Sequence, residues 1–327
     1  MRNKLTYLLL IALSLIVISA CSSDENAGAS VESYPEKAVT LIVPYAPGGG
    51  TDLSARILQP YLEDELGVPV VIENKEGGGG WVGWSELARS EPDGYTIGYM
   101  NMPNLIVGYM NPEVNRSENL DSFDFLTNHV VDAGVIAIRP DEDRFSTIEE
   151  LVEYAKEHEV TVNSSGVGSA NHFVGSQLNT QLGTNFKFVQ MNGVGEAIPA
   201  VLGGHVDVLI AGIGETMANL NSGEFEALAV FGDEEVEQLP GVPTVNAAVG
   251  SETDIFLYRP IAAPAGLEPE IMNKLQTALE KAHSNEEHIK QINDLGMVVD
   301  STKGEDLEEQ LKSLEVNIDE AKSVFGW

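Results

Sequence analysis

One cysteine, Cys21, is the whole thiol content of this 327-residue chain. An intramolecular disulfide is therefore impossible, and so is a metal site built on paired cysteines. Cations are also scarce, with 18 Lys and Arg against 51 Asp and Glu and a formal net charge of -33. So negative a surface repels phosphate and argues against a nucleic-acid partner. Its plain consequence is solubility; a sharper reading is adaptation to a salty or alkaline exterior. Catalytic signatures are missing as well. The chain has no G-x-S-x-G elbow, no H-E-x-x-H pair, no P-loop and no calcium loop. Its six histidines are scattered along the sequence. Gly166-Val167-Gly168 lacks the third glycine of a dinucleotide fingerprint at the right offset. No enzymatic activity, cofactor or metal is expected. Beyond the first twenty residues, no apolar run is long enough to span a bilayer.

What is present begins with that first stretch. Arg2 and Lys4 precede an almost wholly apolar run from Leu5 to Ile18, and Ile18-Ser19-Ala20 places small residues before Cys21. The run is short for a membrane span and reads as a secretory signal. With Cys21 it resembles a bacterial lipobox, in which the cysteine is lipidated after cleavage. Residues 1–20 are thus expected to be a leader and 21–33, which are polar, a flexible tether. The expected location is the extracytoplasmic face of the bacterial cell membrane, held by lipid through Cys21.

The remainder alternates strand and helix. Val39–Val43 is a β-branched run, and the segment after Thr51-Asp52 repeats apolar residues at helical spacing through Leu53, Ile57 and Tyr61. Thr51 or Asp52 is a candidate cap for that helix. Further strands are expected at 68–73, 95–100, 160–164, 186–189, 206–211 and 227–230. Helices are expected over 82–90, from Ser146 to about His158, from Ser169 to about Leu182, and over 268–282 and 306–324. This pattern, with glycines gathered at strand–helix junctions, is that of an α/β fold.

Two junctions carry the candidate chemistry. Gly48-Gly49-Gly50 and Gly166-Val167-Gly168 each lie between a strand and a helix. A helix start presents backbone N–H groups without intrahelical partners, and the dipole adds positive potential there. Glycine lets a ligand approach the main chain, so such a loop can hold a carboxylate without Arg or Lys. Alternatively, these glycines serve only tight turns. Thr51 beside the first loop, and Ser164, Ser165, Ser169 and Asn171 around the second, favour binding. His172 reads as a packing or capping residue as readily as a ligand contact. Trp81 and Trp84 read as core or cleft aromatics.

These motifs, in order, resemble one family. The stretches are Val43-Pro44-Tyr45-Ala46-Pro47-Gly48-Gly49-Gly50-Thr51-Asp52, Glu73-Asn74-Lys75, Pro92-Asp93-Gly94-Tyr95, Gly166–His172, Leu202–Asp207, Leu239–Thr244 and Ala263-Pro264-Ala265-Gly266. From Tyr34 onward the chain resembles the extracytoplasmic receptors of tripartite tricarboxylate transporters, the Bug or TctC-like family. The resemblance implies a two-lobed type II periplasmic-binding-protein-like fold with a hinge and an inter-lobe cleft. Lobe 1 is then residues 34–132 plus 257–327, and lobe 2 is residues 133–256. It implies a ligand carboxylate held by Tyr45, Gly49, Gly50, Thr51 and Asp52 on one side. On the other side it implies Ser164, Gly168, Ser169 and His172, with Asn192 and Gly193 nearby. Implied partners are a small organic carboxylate and integral membrane transporter subunits, the receptor itself being a monomer. Three positions depart from the family pattern: Glu76 replaces a usual proline, Met191-Asn192 a usual Tyr and polar residue, and Glu215 adds an acid that could line the cleft. An inward Glu215 leaves open a ligand bearing a cationic group beside its carboxylate. A ligand-sensing partner of a membrane signalling system is the other functional class left open.

Overall fold

A computed structural model describes residues 33–112, 116–165, 169–191, 193–232, 234–253 and 256–322. The leader, Cys21, Gly168 and Asn192 lie outside these described residues, and so do the expectations attached to them. The first half of the described chain runs β1 (Val39–Val43), α1 (Gly50–Leu66), β2 (Val70–Asn74), α2 (Trp81–Ala88), β3 (Thr96–Tyr99), α3 (Asn104–Met110) and β4 (Phe123–Ile138). It continues with α4 (Ile148–Glu157), β5 (Val160–Ser164), α5 (Ala170–Leu182), β6 (Phe186–Gln190), α6 (Val194–Leu202), β7 (Leu209–Gly212), α7 (Ile213–Ser222) and β8 (Glu226–Val230). The last part is α8 (Val245–Val249), β9 (Phe256–Pro264), α9 (Pro269–His283), α10 (Glu286–Asp294), β10 (Val298–Val299) and α11 (Gly304–Ala321). No helix among the described residues is long and apolar enough to cross a membrane.

Strand β1 is buried along nearly its whole length and pairs in parallel with β2 and β3 on either side. A β-branched run such as Val39–Val43 suits that doubly covered position. Strand β9 pairs antiparallel with β3, and β4 pairs antiparallel with β9 and β10. At sixteen residues β4 is a long strand, and it changes partner part-way. Its residues Phe123 to Ala133 lie against β9, whereas Gly134 to Ile138 lie against β7 and β8. Strands β5 and β6 form a separate parallel pair, tied to the β7 side by a bridge between Val162 and Val208. Separate apolar cores follow the same division. One gathers Trp81, Trp84, Met100, Ile106, Phe123 and Leu311. Another gathers Ile136, Phe145, Leu151, Val174, Leu178 and Phe231. Both tryptophans belong to the first of these cores.

Three features differ from the sequence reading. Helix α1 starts at Gly50 with Gly49 as N-cap and no side-chain cap, so neither Thr51 nor Asp52 caps it. Helix α4 starts at Ile148 with Thr147 as N-cap, accepting from the Glu150 N–H, two residues later than the expected start at Ser146. Glu150 reaches back to the Ser146 N–H and hydroxyl. Strands β4 and β9 escaped the reading because each breaks the strand pattern. Asn128, His129 and Asp132 are fully buried inside β4, and β9 contains Arg259 and Pro260. Buried polar residues disguise an apolar alternation, and proline in a run argues against a paired strand.

Candidate ligand-binding site

Helices α1, α5, α6 and α7 all begin on one cavity of about 280 Å³. Gly49, Gly50 and Thr51 contribute from α1, Ala170 and Asn171 from α5, Gly193 to Glu196 from α6, and Gly212 and Glu215 from α7. The N-caps of α1 and α6 are glycines that make no side-chain cap. Their leading N–H groups therefore find no side-chain acceptor on the cap residue, although the Gly193 carbonyl accepts from Glu196. The φ of Gly193 is 135°, a conformation open to glycine and strained for other residues. At Gly50 the requirement is space: a Cβ there would lie 2.8 Å from both Arg259 Nη2 and Glu215 Cγ.

The deep wall is ionic. Arg259, on β9, is 1% exposed, and its Nη2 donates to Asp132 Oδ2 at 2.8 Å. Asp132 Oδ1 in turn accepts the Gly214 N–H at 3.1 Å, so the carboxylate also satisfies the start of α7. Arg259 Nη1 points at Met297 Sδ, and its Nε has no partner among the described residues. Half-buried Glu215 accepts the N–H of its own N-cap, Gly212, at 3.1 Å, and its side chain lies close to Gly50 of α1. Burial raises its pKa, with the nearby Arg259 charge opposing.

The opposite wall is neutral and polar. Asn104 Nδ2 donates to the Tyr45 hydroxyl at 3.1 Å, while its Oδ1 accepts the Ala170 N–H at 3.1 Å. Asn104 thereby joins the α3 side of the cavity to the first amide of α5. Burial raises the Tyr45 pKa and keeps the phenol neutral. Thr51 Oγ1 accepts from Asn101 Nδ2 at 2.8 Å, and Asn101 Oδ1 has no partner among the described residues.

The residues expected from the sequence divide accordingly. Tyr45, Gly49, Gly50, Thr51, Gly193 and Glu215 lie on the cavity lining. Asp52, Ser164, Ser169 and His172 do not, and each has a physical reason. The Asp52 carboxylate is taken up by Arg56, Asn74 and the Gly48 N–H at 2.8 to 2.9 Å. Burial would raise its pKa, but these hydrogen bonds outweigh it and keep the carboxylate ionised. Through the Gly48 N–H, the Asp52 carboxylate is tied to the glycine loop. Ser164 is fully buried, bonded to Gln190 and Ser169. Ser169 is the N-cap of α5. His172 packs edge-on against Phe188 at 4.6 Å, and burial lowers its pKa. The sequence reading missed Arg259, Asp132, Asn101 and Asn104. One signal was available: a lone arginine inside the apolar run Phe256–Pro264 of a chain poor in cations.

Comparison with known proteins places this cavity in context. Residues 54–317 match the family described as tripartite tricarboxylate transporter family receptor, TctC. The chain belongs to this family. Protein BugT of Bordetella pertussis is 27% identical over 274 residues, covering 83% of each chain. The solved periplasmic binding protein BugD is 29% identical, with a TM-score of 0.79 over 88% of this chain and 99% of its own. MatC of Rhodopseudomonas palustris, solved with bound malate, is 25% identical, with a TM-score of 0.78 over 89% of this chain and 100% of its own. This TctC receptor therefore has the α/β periplasmic-binding-protein fold and is an extracytoplasmic solute receptor, not an enzyme.

Proposed function

We propose that this receptor captures a small organic carboxylate in the 280 Å³ cavity and hands it to the membrane subunits of a tripartite transporter. The observation that carries this reading is the convergence of the α1, α5, α6 and α7 N-termini on one space. Each adds partial positive charge, and α1 and α6 do so without a side-chain cap, which suits an anion in a chain otherwise strongly acidic. The malate found in the MatC structure supports the same ligand class.

The lobes of the trap are residues 34–132 with 257–327, and 133–256. The partner change of β4 between Ala133 and Gly134 supports this division. Contacts across the cavity, Asn104 to Ala170 and Gly50 to Glu215, favour the closed form. Binding then shifts the open–closed equilibrium by the ligand's differential affinity for the closed form. The leader and Ile18-Ser19-Ala20-Cys21 support a lipid tether at Cys21.

A thermal-shift panel of mono-, di- and tricarboxylates tests the ligand class. At least one member at a hundredfold excess over its Kd raises the melting free energy by about 2.7 kcal/mol. Folded protein that ignores the whole panel would remove the carboxylate reading.

A further inference from the structure

A second groove, of about 530 Å³, shares no lining residue with the ligand cavity. It lies where β4 changes partner. Val131 of β4 pairs with Val298 of β10, and the Gly134 carbonyl accepts the Phe231 N–H just past the end of β8. Val131, Ala133, Phe231, Val236 and Val298 make its walls apolar, and Val298 is 59% exposed. Its rim carries Glu234, Glu235 and Glu237, all exposed, and no Lys or Arg lines it. Among the described residues, none of these three glutamates has a hydrogen bond or an ion pair. Exposed apolar surface rimmed by polar groups marks a place where another molecule sits.

The charge pattern selects the occupant. An anionic lipid surface and a second copy of this chain, at -33, both carry the wrong sign. Among the described residues no cluster of three or more His, Cys, Asp or Glu is arranged to hold a metal, which leaves out a bound cation. We propose that the groove docks a basic segment of the transporter's membrane subunits, with an apolar side chain seated on Val298 and Lys or Arg on the rim glutamates. This inference rests on the transport reading above and names its docking face. The same face is placed to report closure. Phe231 and Val236 fall in the proposed lobe of residues 133–256, and Asn293 and Val298 in the other. Gln238 Nε2 donates to the Asn293 carbonyl at 3.3 Å, joining the two sides of the groove. Gly296, also on the lining, lies tight against α7, where a Cβ would come within 2.5 Å of Ile213 Cγ2 and 2.7 Å of Met217 Cε. That helix brings Glu215 to the ligand cavity. A lobe movement that shifts α7 therefore alters the groove walls, and a partner seated there distinguishes loaded from empty receptor.

Two peptides test the chemistry without any carboxylate. Fluorescence anisotropy with the folded chain compares labelled Lys-Val-Arg-Val-Lys and Lys-Ser-Arg-Ser-Lys at fixed salt. The valine peptide binds about threefold tighter or more, because its apolar side chains are buried. Neutralising the rim, Glu234→Gln with Glu235→Gln and Glu237→Gln, weakens it about tenfold, as the loss of three exposed charge pairs would. The same neutralisation on α11, Glu305→Gln with Asp306→Asn and Glu309→Gln, leaves its affinity unchanged. Val298→Ser, at an exposed position, removes the preference for valine. A carboxylate found in the thermal-shift panel changes the peptide's affinity about fivefold or more. No binding of either peptide, equal affinity of the two, or equal loss in both neutralised variants would each overturn docking here, whatever the carboxylate panel shows. Dimerisation in sedimentation that disappears in the rim variant would overturn it in favour of a second copy. A peptide affinity blind to bound carboxylate would overturn the link to closure. A silent carboxylate panel with the peptide preferences intact would instead overturn the earlier reading.

Discussion

Arg259 and Asp132 show how one residue pair can serve both stability and the site. Their side chains are 1% and 0% exposed, and the pair closes the cavity floor while Asp132 holds the start of α7. Removing one partner from a buried pair leaves the other charge uncompensated, which typically costs about 3–5 kcal/mol. Arg259→Met is therefore expected to lower unfolding free energy by about that amount in urea titration, because Asp132 stays buried. Adding Asp132→Asn to it should recover much of the loss. A single variant as stable as the wild type would show that water already reaches the pair. Asp52 teaches a related lesson. Sequence spacing set it beside the glycine loop, but its carboxylate makes four hydrogen bonds to Arg56, Asn74 and Gly48 and lies off the cavity lining.

At the scale of elements, β4, α9 and α10 bring together three histidines far apart in the chain. His129 is 0% exposed, His283 1% and His288 0%. The His129 and His288 Nε2 atoms lie 2.9 Å apart, and the His129 and His283 rings stack at 4.8 Å. Tyr99 OH lies 2.6 Å from His129 Nδ1, and Ser301 faces His283. Among the described residues no cluster of three or more His, Cys, Asp or Glu is arranged to hold a metal. Burial, and then the neighbouring rings, push the His129 pKa well below the usual histidine value and that of His283 down to about 3. Burial likewise lowers His288. Arg259 adds to the effect at His129, while Asp300 opposes it at His283. The folded pKa values lie below the unfolded value near 6.5, so the unfolded chain takes up protons first. The stability contributed is full above about pH 6.5 and is lost as pH falls toward the folded values, by up to about 1.4 kcal/mol per pH unit for each histidine. His283→Phe should flatten the fall in urea stability between about pH 6.5 and 4.5 by roughly one histidine's share. Identical slopes in variant and wild type would discount the cluster.

Across the whole molecule, the charge of -33 and the local site pull in opposite directions. Long-range repulsion slows an anion's approach, while helix termini act over a few ångströms once it arrives. Raising ionic strength from about 20 to 200 mM shortens the screening length to below about 10 Å. For a dicarboxylate, the stopped-flow association rate should therefore rise with salt; a falling rate would mean that a local cation steers entry instead. The grouping of the strands is also a whole-molecule property. It depends on β4 pairing with β9 along one part of its length and with β7 and β8 along another, and neither β4 nor β9 was legible from periodicity because buried Asn128, His129, Asp132 and Arg259 interrupt it.

Local interactions are what the sequence settled alone. Val39–Val43, the amphipathic helices, and the glycines at Gly49, Gly50 and Gly193 depend on backbone preference and short-range patterning, and these survive in any context. The α/β class and the family follow from the same order of motifs. Tertiary structure alone decided which polar groups face the cavity. Asp52 and Glu215 are both acidic residues in a helix's first turn, and spacing cannot tell them apart. One is consumed by Arg56 and Asn74, and the other lies on the cavity lining, because only the folded chain sets which distant donors arrive at each.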